Sequence, residues 1–356
     1  MGFLKKLDWQ LNLSVGLLLL FGILTLASST EVLIWRQTLW ILVGAAIIFS
    51  VSFINLKRLM SYRWVVIVIY LVSVGLLILT LLIGSEAGGN KSWINIGSFK
   101  FQASEFAKIG LIVILSKFFS RSHIGIKRFG VIFTSFVYLL VPVFLILLQP
   151  DLGTALIFGS IWAGFLLVSG LPMKYVAVAL PILLFCGLII WNFGLQGYQR
   201  NRIIGLLKPD ADPLGVNYNA IQSKIAIGSA GWFGKGFSQG AQVRLGFLPA
   251  AQTDFVYAAF TEEWGFVGAM VLVIVFLWMI WRILQIGMKS HGNFDKFICI
   301  GSALLFIFQF AINVGSTLGF LPVIGVGLPF VSYGGSSLLT SFILIGIIQN
   351  IAATTI

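Results

Sequence analysis

The chain has 356 residues, of which 59% are hydrophobic and 10% charged, against about half apolar and a quarter charged in an ordinary soluble domain. Its apolar residues fall into long runs with few charges, which excludes a soluble fold and reads as an all-α polytopic membrane protein. The formal net charge of +12 sits in short segments between those runs, without an Arg-rich tail or an aromatic-interleaved stripe. It speaks for orientation in a bilayer and not for nucleic acid.

Ten runs approach the roughly 17 to 25 residues that cross a hydrocarbon core. In chain order they are Leu11–Ala27, Leu33–Ile54, Trp64–Ile83, Phe101–Phe119, Phe129–Leu148, Leu152–Val168, Tyr175–Phe193, Trp264–Trp281, Phe297–Val314 and Ser336–Ile351. An even count puts both termini on one side. The first run follows Lys5 and Lys6 as a secretory leader would, but Asp8, Trp9 and Asn12 interrupt that layout and further runs follow at once, so it reads as a retained span. With a cytoplasmic N-terminus, thirteen of the 23 basic residues fall on inner segments, among them Lys5, Lys6, Lys57, Arg58, Lys127, Arg128 and Lys289. The short outer loops hold only Arg36, Lys91 and Lys100, so the positive-inside rule selects this orientation. Cys186 and Cys299 sit inside apolar runs and offer neither a disulfide framework nor a metal cage.

Two stretches break the pattern. Gly194 to Glu263 is an outer segment of about 70 residues, a length that marks functional or disordered loops. It includes Lys208-Pro-Asp-Ala-Asp-Pro-Leu-Gly215 and, at Ala220–Ile227, a short amphipathic helix suited to the membrane interface. Gly315 to Phe330 is apolar but cut by glycines and prolines, so it reads as a re-entrant or packed loop covered by protein.

Only eleven acids occur in the chain, and ionisable groups in or beside hydrocarbon are expensive. Glu105 and Lys108 lie one helical turn apart in the fourth run and can pair, either as a structural clasp or as a functional couple. Asp151, after Pro150 and before an apolar run, reads mainly as a helix cap. Asp254 ends the long outer segment; its position alone tips it towards a cap, while the Phe255-Val-Tyr-Ala run beside it would desolvate a carboxylate and raise its basicity. Glu262 and Glu263 open the eighth run, where acids offset the helix dipole. Outer cations Lys91, Lys100, Arg200, Arg202, Lys208, Lys224, Lys235 and Arg244 suit either anionic lipid or a phosphate-bearing substrate, and Arg200 and Arg202 directly follow a span. Ser332-Tyr-Gly-Gly-Ser-Ser337 follows no strand and lacks a P-loop lysine, so it reads as close packing or a tight turn.

These pieces, taken in order, resemble the SEDS family (shape, elongation, division and sporulation). The resemblance rests on Lys91-Ser-Trp93 through Gln102-Ala-Ser-Glu-Phe-Ala-Lys108, Gln149-Pro-Asp-Leu-Gly-Thr154, Asp212-Pro-Leu-Gly215, Gln222-Ser-Lys-Ile-Ala-Ile-Gly228, Leu248-Pro to Thr253-Asp-Phe255, and Asn313-Val-Gly through Ser336. Ser223 and Lys224, with Gly234-Lys-Gly236, look more like the elongation (RodA) branch than the division (FtsW) branch. The family's usual Gln-Pro-Ser-Glu reads Gln-Ala-Ser-Glu here, with Ala103. The resemblance implies a single transmembrane domain over 1–356 in a bacterial inner membrane, with the active site on the extracytoplasmic side. It implies an inverting glycosyltransferase that polymerises lipid II into glycan strands for cell elongation, releasing undecaprenyl pyrophosphate, beside a class B penicillin-binding protein that crosslinks the product. It makes Asp254 the essential acid, against the cap reading. The family's paired Glu and Lys match Glu105 and Lys108; beside them, Asp151, Lys91, Trp93, Arg200, Arg202, Lys224 and Ser336 stand as supporting or substrate-binding candidates on their own chemistry, with no metal ligand assigned and room for a divalent cation, Mg or Mn, at the pyrophosphate. The competing readings are a lipid II flippase and a noncatalytic scaffold for the crosslinking enzyme.

Overall fold

The computed structural model describes residues 7–54, 56–87, 90–97, 99–189, 191–192, 197–208, 212–213, 215 and 217–355. Each of the ten apolar runs coincides with a helix: α1 (Trp9–Ser29), α2 (Glu31–Phe53), then, after the short α3 (Leu56–Ser61), α4 (Arg63–Ile83), α5 (Ala103–Ser122), α6 (Phe129–Leu147), α7 (Leu152–Val168) and α8 (Met173–Ile189). The outer segment carries α9 (Gly197–Leu207), α10 (Tyr218–Gly228) and α11 (Ala241–Arg244), and the chain closes with α12 (Val256–Lys289), α13 (Asn293–Thr317) and α14 (Gly335–Thr355). Seven of these, α1, α2, α4, α6, α12, α13 and α14, are long and apolar enough to cross a membrane. Helix is the required answer there, because lipid offers backbone N–H and C=O groups no partners. Lys5 and Lys6, Ile190 and Phe193 at the expected end of the seventh run, and Pro209–Ala211 and Leu214 of the Pro/Asp/Gly stretch lie outside the described residues.

The all-α expectation needs one correction. Between α4 and α5, β1 (Ser85–Ala87), β2 (Asn90–Ile96) and β3 (Phe99–Gln102) form an antiparallel sheet in that order, with Trp93 opposite Gln102 and Ile96 opposite Phe99. Trp-Ile-Asn-Ile at 93–96, ahead of Gly97, carried a strand signature of β-branched and aromatic residues. The surrounding helical runs masked it.

The core is a continuous apolar cluster contributed by nearly every long helix. Helix α5 runs through its middle, against α4, α7, α13 and α14, and buries Leu111, Ile112, Val113, Leu115 and Phe119. Phe165 of α7 stacks on Phe119 of α5 and Phe297 of α13, with ring centroids 5.6 and 5.9 Å apart, and Phe119 and Phe297 meet tilted at 6.1 Å. At the N-terminal end of α1, Asp8 caps the helix through Leu11 N and takes a 2.6 Å ion pair from Arg282 of α12, while Gln349 of α14 exchanges hydrogen bonds with the Asp8 backbone. Three helices distant in sequence are thereby joined by one buried acid. This kind of pair costs several kcal/mol to break once desolvated.

Helix α12 begins at Val256, well before the expected Trp264, and is broken at Gly265, whose backbone lies at φ 70°, ψ −171°. Residues 231–236 supply the partners that the break removes: Phe266 N and Val267 N donate to the Gly231 and Trp232 carbonyls, and Lys235 N and Gly236 N donate to those of Glu262 and Glu263. Gly234 and Gly265 approach so closely that a Cβ on either would collide with the other's backbone. Glu262 and Glu263 therefore end the first piece of α12, just ahead of the break at Gly265, instead of opening a helix at Trp264. Glu262 is fully buried and takes a 2.7 Å ion pair from Lys235 and a hydrogen bond from Gln242 N. It is a latch holding the outer segment to the bundle.

Candidate active site

Asp254 sits in the turn before α12 and does not cap it. The cap position is Phe255, with no side-chain hydrogen bond to the first helical N–H groups. The carboxyl is half-buried beside Phe255 and Val256, and that burial raises it above the usual carboxylate range, against the opposing pull of the Arg202 guanidinium and a hydrogen bond from Thr253. An acid that is desolvated, uncapped and only partly neutralised is a stronger base than an ordinary aspartate.

The segment bearing Asp254 is held on its other side by the loop between α13 and α14. Asn313 of α13 donates from Nδ2 to the Asp254 carbonyl at 3.0 Å and to the Val326 carbonyl at 2.8 Å. Ser332 Oγ donates to the Thr253 carbonyl at 2.6 Å and accepts from Leu328 N, and Tyr333 N donates to the Gln252 carbonyl. Val326, Leu328, Phe330 and Val331 are buried. Residues 326–331 are the packed, protein-covered part of the loop expected from its broken apolar composition, whereas Phe320, Leu321 and Gly325 stay exposed and α13 continues to Thr317 before the loop starts. The sequence does not mark Asn313 and Ser332 as site residues, because amide and hydroxyl groups announce no chemistry of their own. The usable signal was the cost of an amide inside an apolar run.

The same loop links Asp254 to the other candidates. Arg202, on α9, donates from Nη1 to the Val323 carbonyl at 2.9 Å. The Ile324 carbonyl lies against Gly153, so close that a Cβ there would clash, and Gly153 is two residues past Asp151. Asp151 caps α7, accepting from Thr154 N at 3.0 Å and from Thr154 Oγ1 at 2.8 Å. Burial raises its carboxyl too, opposed by those hydrogen bonds and by the nearby Lys108 charge, and augmented by Glu105. Glu105 and Lys108 form a buried ion pair at 2.6 Å on α5. The loop thus links the Asp254 segment, Arg202 and the start of α7, where Asp151 lies near the Glu105–Lys108 pair.

Other candidates go elsewhere. Arg200 donates to the Asn192 carbonyl at 2.9 Å. Lys91 and Trp93 lie on β2, where the Trp93 carbonyl accepts from Ser85 Oγ. Ser336 is buried at the start of α14, accepting from Gln102 N at 3.1 Å and donating to the Lys100 carbonyl, so it ties the sheet to the bundle. Helix α10 does not simply lie on the interface. Its Ser223 hydroxyl donates to the Thr317 carbonyl, and Ala226 packs with Leu248, Ala251, Phe255, Ala258 and Ala259 in a second small core beneath Asp254. Among the described residues no group of three or more His, Cys, Asp or Glu side chains is placed to hold a metal ion. A divalent cation here would arrive on the oxygens of a phosphate-bearing substrate.

The family model described as cell cycle protein, for FtsW, RodA and SpoVE, matches residues 7–356. The chain belongs to the FtsW/RodA/SpoVE family. Among family members, a peptidoglycan glycosyltransferase MrdB of Escherichia coli K12 is 36% identical, covering 80% of this chain and 76% of the relative. A probable peptidoglycan glycosyltransferase FtsW of Trichlorobacter lovleyi is 33% identical, covering 98% of this chain and 94% of that one. A chain from a solved peptidoglycan synthase complex, described for its coordination of polymerization and crosslinking, superposes with a TM-score of 0.85 at 32% identity, covering 98% of each chain. The fold of a multi-pass FtsW/RodA/SpoVE protein is therefore common to this chain and to members that differ from it at about two positions in three.

Proposed function

We propose that the chain is a peptidoglycan glycosyltransferase that polymerises lipid II, with Asp254 as its general base. The observation that carries this reading is the half-buried Asp254 carboxyl, raised by desolvation, bearing no capping duty and facing the guanidinium of Arg202. Asp254 takes the proton from the acceptor sugar's 4-hydroxyl as that oxygen attacks the donor's anomeric carbon. The bond from that carbon to the diphosphate oxygen breaks, the diphosphate leaves with the electron pair, and the anomeric configuration inverts. A diphosphate is a weak base, so the reaction needs cations for the developing charge more than a second carboxyl as acid. Two-carboxyl glycosidases differ in this respect.

The whole chain acts as one transmembrane domain with ten crossings, α5, α7 and α8 joining the seven long apolar helices. Both termini face the cytoplasm, and residues 194–263 stand on the outer side of a bacterial inner membrane. The inner segments' cations support that orientation. A class B penicillin-binding protein is the partner that crosslinks the product, a reading supported by the synthase complex to which the chain is similar. Loop residues such as Lys224 and Lys235 favour the elongation role over the division role. The test is polymer formation from labelled lipid II by detergent-purified protein, with and without the transpeptidase. Polymer from wild type and none from Asp254→Asn is the expected result. Translocation in vesicles without polymer would make the protein a flippase, and dependence of all product on the partner alone would make it a scaffold.

A further inference from the structure

Asp254 and Glu262 stand at the two ends of one short helical piece. Residues 256–264 run from the Asp254 turn to the break at Gly265, and Glu262 lies about 9 Å of helical rise from Val256. A helix this short is marginal by itself. Gly265, at φ 70° and ψ −171°, occupies backbone space that is essentially reserved for glycine, so the piece is set off from the rest of α12. Its position depends on what holds its ends. At the Asp254 end, the loop between α13 and α14 binds the backbone carbonyls of Gln252, Thr253 and Asp254. At the far end the holder is Lys235.

Lys235 grips residue 262 twice: its backbone N donates to the Glu262 carbonyl at 3.0 Å, and its Nζ donates to Oε1 at 2.7 Å. It does so from a fixed seat, between Gly234 and Gly236 at φ 79° and 98°, with Gly234 pressed against Gly265. Gln242 N adds a 3.1 Å bond to the same Glu262 oxygen. The other oxygen, Oε2, is buried with no hydrogen-bond partner among the described residues and faces Gly240, where a Cβ would stand 2.7 Å from it. Glu263, also buried, lies close enough to repel Glu262. Among the described residues, Lys235 is the only cation that forms an ion pair with either acid. Without its ammonium, two neighbouring buried carboxyls would share no counter-ion, and one would take a proton or swing towards water. A swing moves the piece that leads to Asp254.

We propose that Lys235 is a positioning residue for the glycosyl transfer: its pair with Glu262 fixes the tilt of residues 256–264 and thereby the reach of the Asp254 carboxylate towards the acceptor hydroxyl. The inference rests on Asp254 acting as the general base, and it adds a second clamp at the far end of the piece that Asp254 precedes. Proton abstraction needs a heavy-atom approach of about 2.6–3.2 Å, and a misplacement of about 1 Å can cost about 100-fold in rate. Substrate affinity should change little, because the candidate substrate cations, Arg202 and Lys224 among them, lie outside residues 256–264.

Lipid II polymerisation kinetics and amide hydrogen exchange on the full chain in detergent, below the melting temperature of each variant, test this. Lys235→Met should lower kcat about ten- to a hundredfold with KM within a few-fold of wild type, and Lys235→Arg should restore most of the rate. Lys235→Met combined with Glu262→Gln removes the stranded charge as well as the ammonium. That double variant should melt near wild type yet keep the kcat loss, with exchange of residues 255–264 faster than wild type and that of residues 269–287 unchanged. A double variant that regains wild-type kcat along with its stability overturns the proposal, because the pair would then serve the fold alone. So does unchanged exchange at 255–264, or a rise in KM that accounts for the whole loss, which would make Lys235 a substrate contact. Asp254→Asn assayed alongside separates this inference from the one it rests on. If that variant polymerises normally, the general base falls and the clamp with it; if it is inactive while Lys235→Met is fully active, the base stands and only the clamp is removed.

Discussion

Asp151 and Asp254 occupy near-identical stations in the chain: each ends a turn, each precedes a helix, and burial raises both carboxyls. Their hydrogen bonding separates them. Asp151 spends both oxygens on Thr154 and closes α7, whereas the Asp254 carboxylate caps nothing, and its segment is instead fixed by backbone carbonyls that Asn313 and Ser332 hold. A buried acid whose acceptors are occupied is structural. One whose backbone is clamped and whose carboxylate, beside Arg202 and Thr253, closes no helix is poised to receive a proton.

The same substitution at the two sites should therefore give opposite results. Asp254→Asn is expected to lower polymerisation by about 100- to 10,000-fold, the usual worth of a general base. Asp151→Asn should stay within a few-fold of wild type, because asparagine caps about as well as aspartate. Labelled lipid II polymerisation assays on both variants check this, and equal losses would end the distinction. Next in size is the neighbouring ion pair. Lys108→Met strands a buried Glu105 and should cost about 3–5 kcal/mol, while Glu105→Gln with Lys108→Met should regain most of it. Thermal unfolding in detergent reads both. If the double variant is stable but inactive, the pair serves the reaction as well as the fold.

The raised Asp254 carboxyl sharpens the comparison through pH. Polymerisation should fall on acidification with an apparent pKa above the ordinary aspartate value of about 3.9, and that limb should be absent from any residual activity of Asp254→Asn. The stability effect has the opposite sense. With its folded pKa above its unfolded pKa, the folded state binds more protons between the two values, so Asp254's contribution falls as pH rises through that window and stays reduced at neutrality. Asp254→Asn should accordingly melt at or above wild type at neutral pH, measured by the same unfolding assay. The smallest effect belongs to Thr154→Val, which removes one hydroxyl bond to Asp151 and keeps the backbone cap. It should cost about 0.5–1.5 kcal/mol in melting experiments and leave the polymerisation rate near wild type.

Much of the architecture is a local property and could be read residue by residue. Long uncharged runs force helices in lipid, so α1, α2, α4, α7 and α13 fall within a few residues of where composition puts them. The i,i+3 spacing of Glu105 and Lys108 sets their pairing, and the Ala220–Ile227 pattern marks α10. What tertiary structure alone decided are choices between partners far apart in the chain. Lys235 is spent on Glu262 and Lys224 is not, Asp151 caps while Asp254 does not, Gly265 can break α12 because residues 231–236 accept and donate in its place, and Asn313 binds Asp254 to Val326. A polar group's role is set by which acceptors and donors the fold brings within about 3 Å of it, and spacing along a chain carries that information only within a helical turn or two.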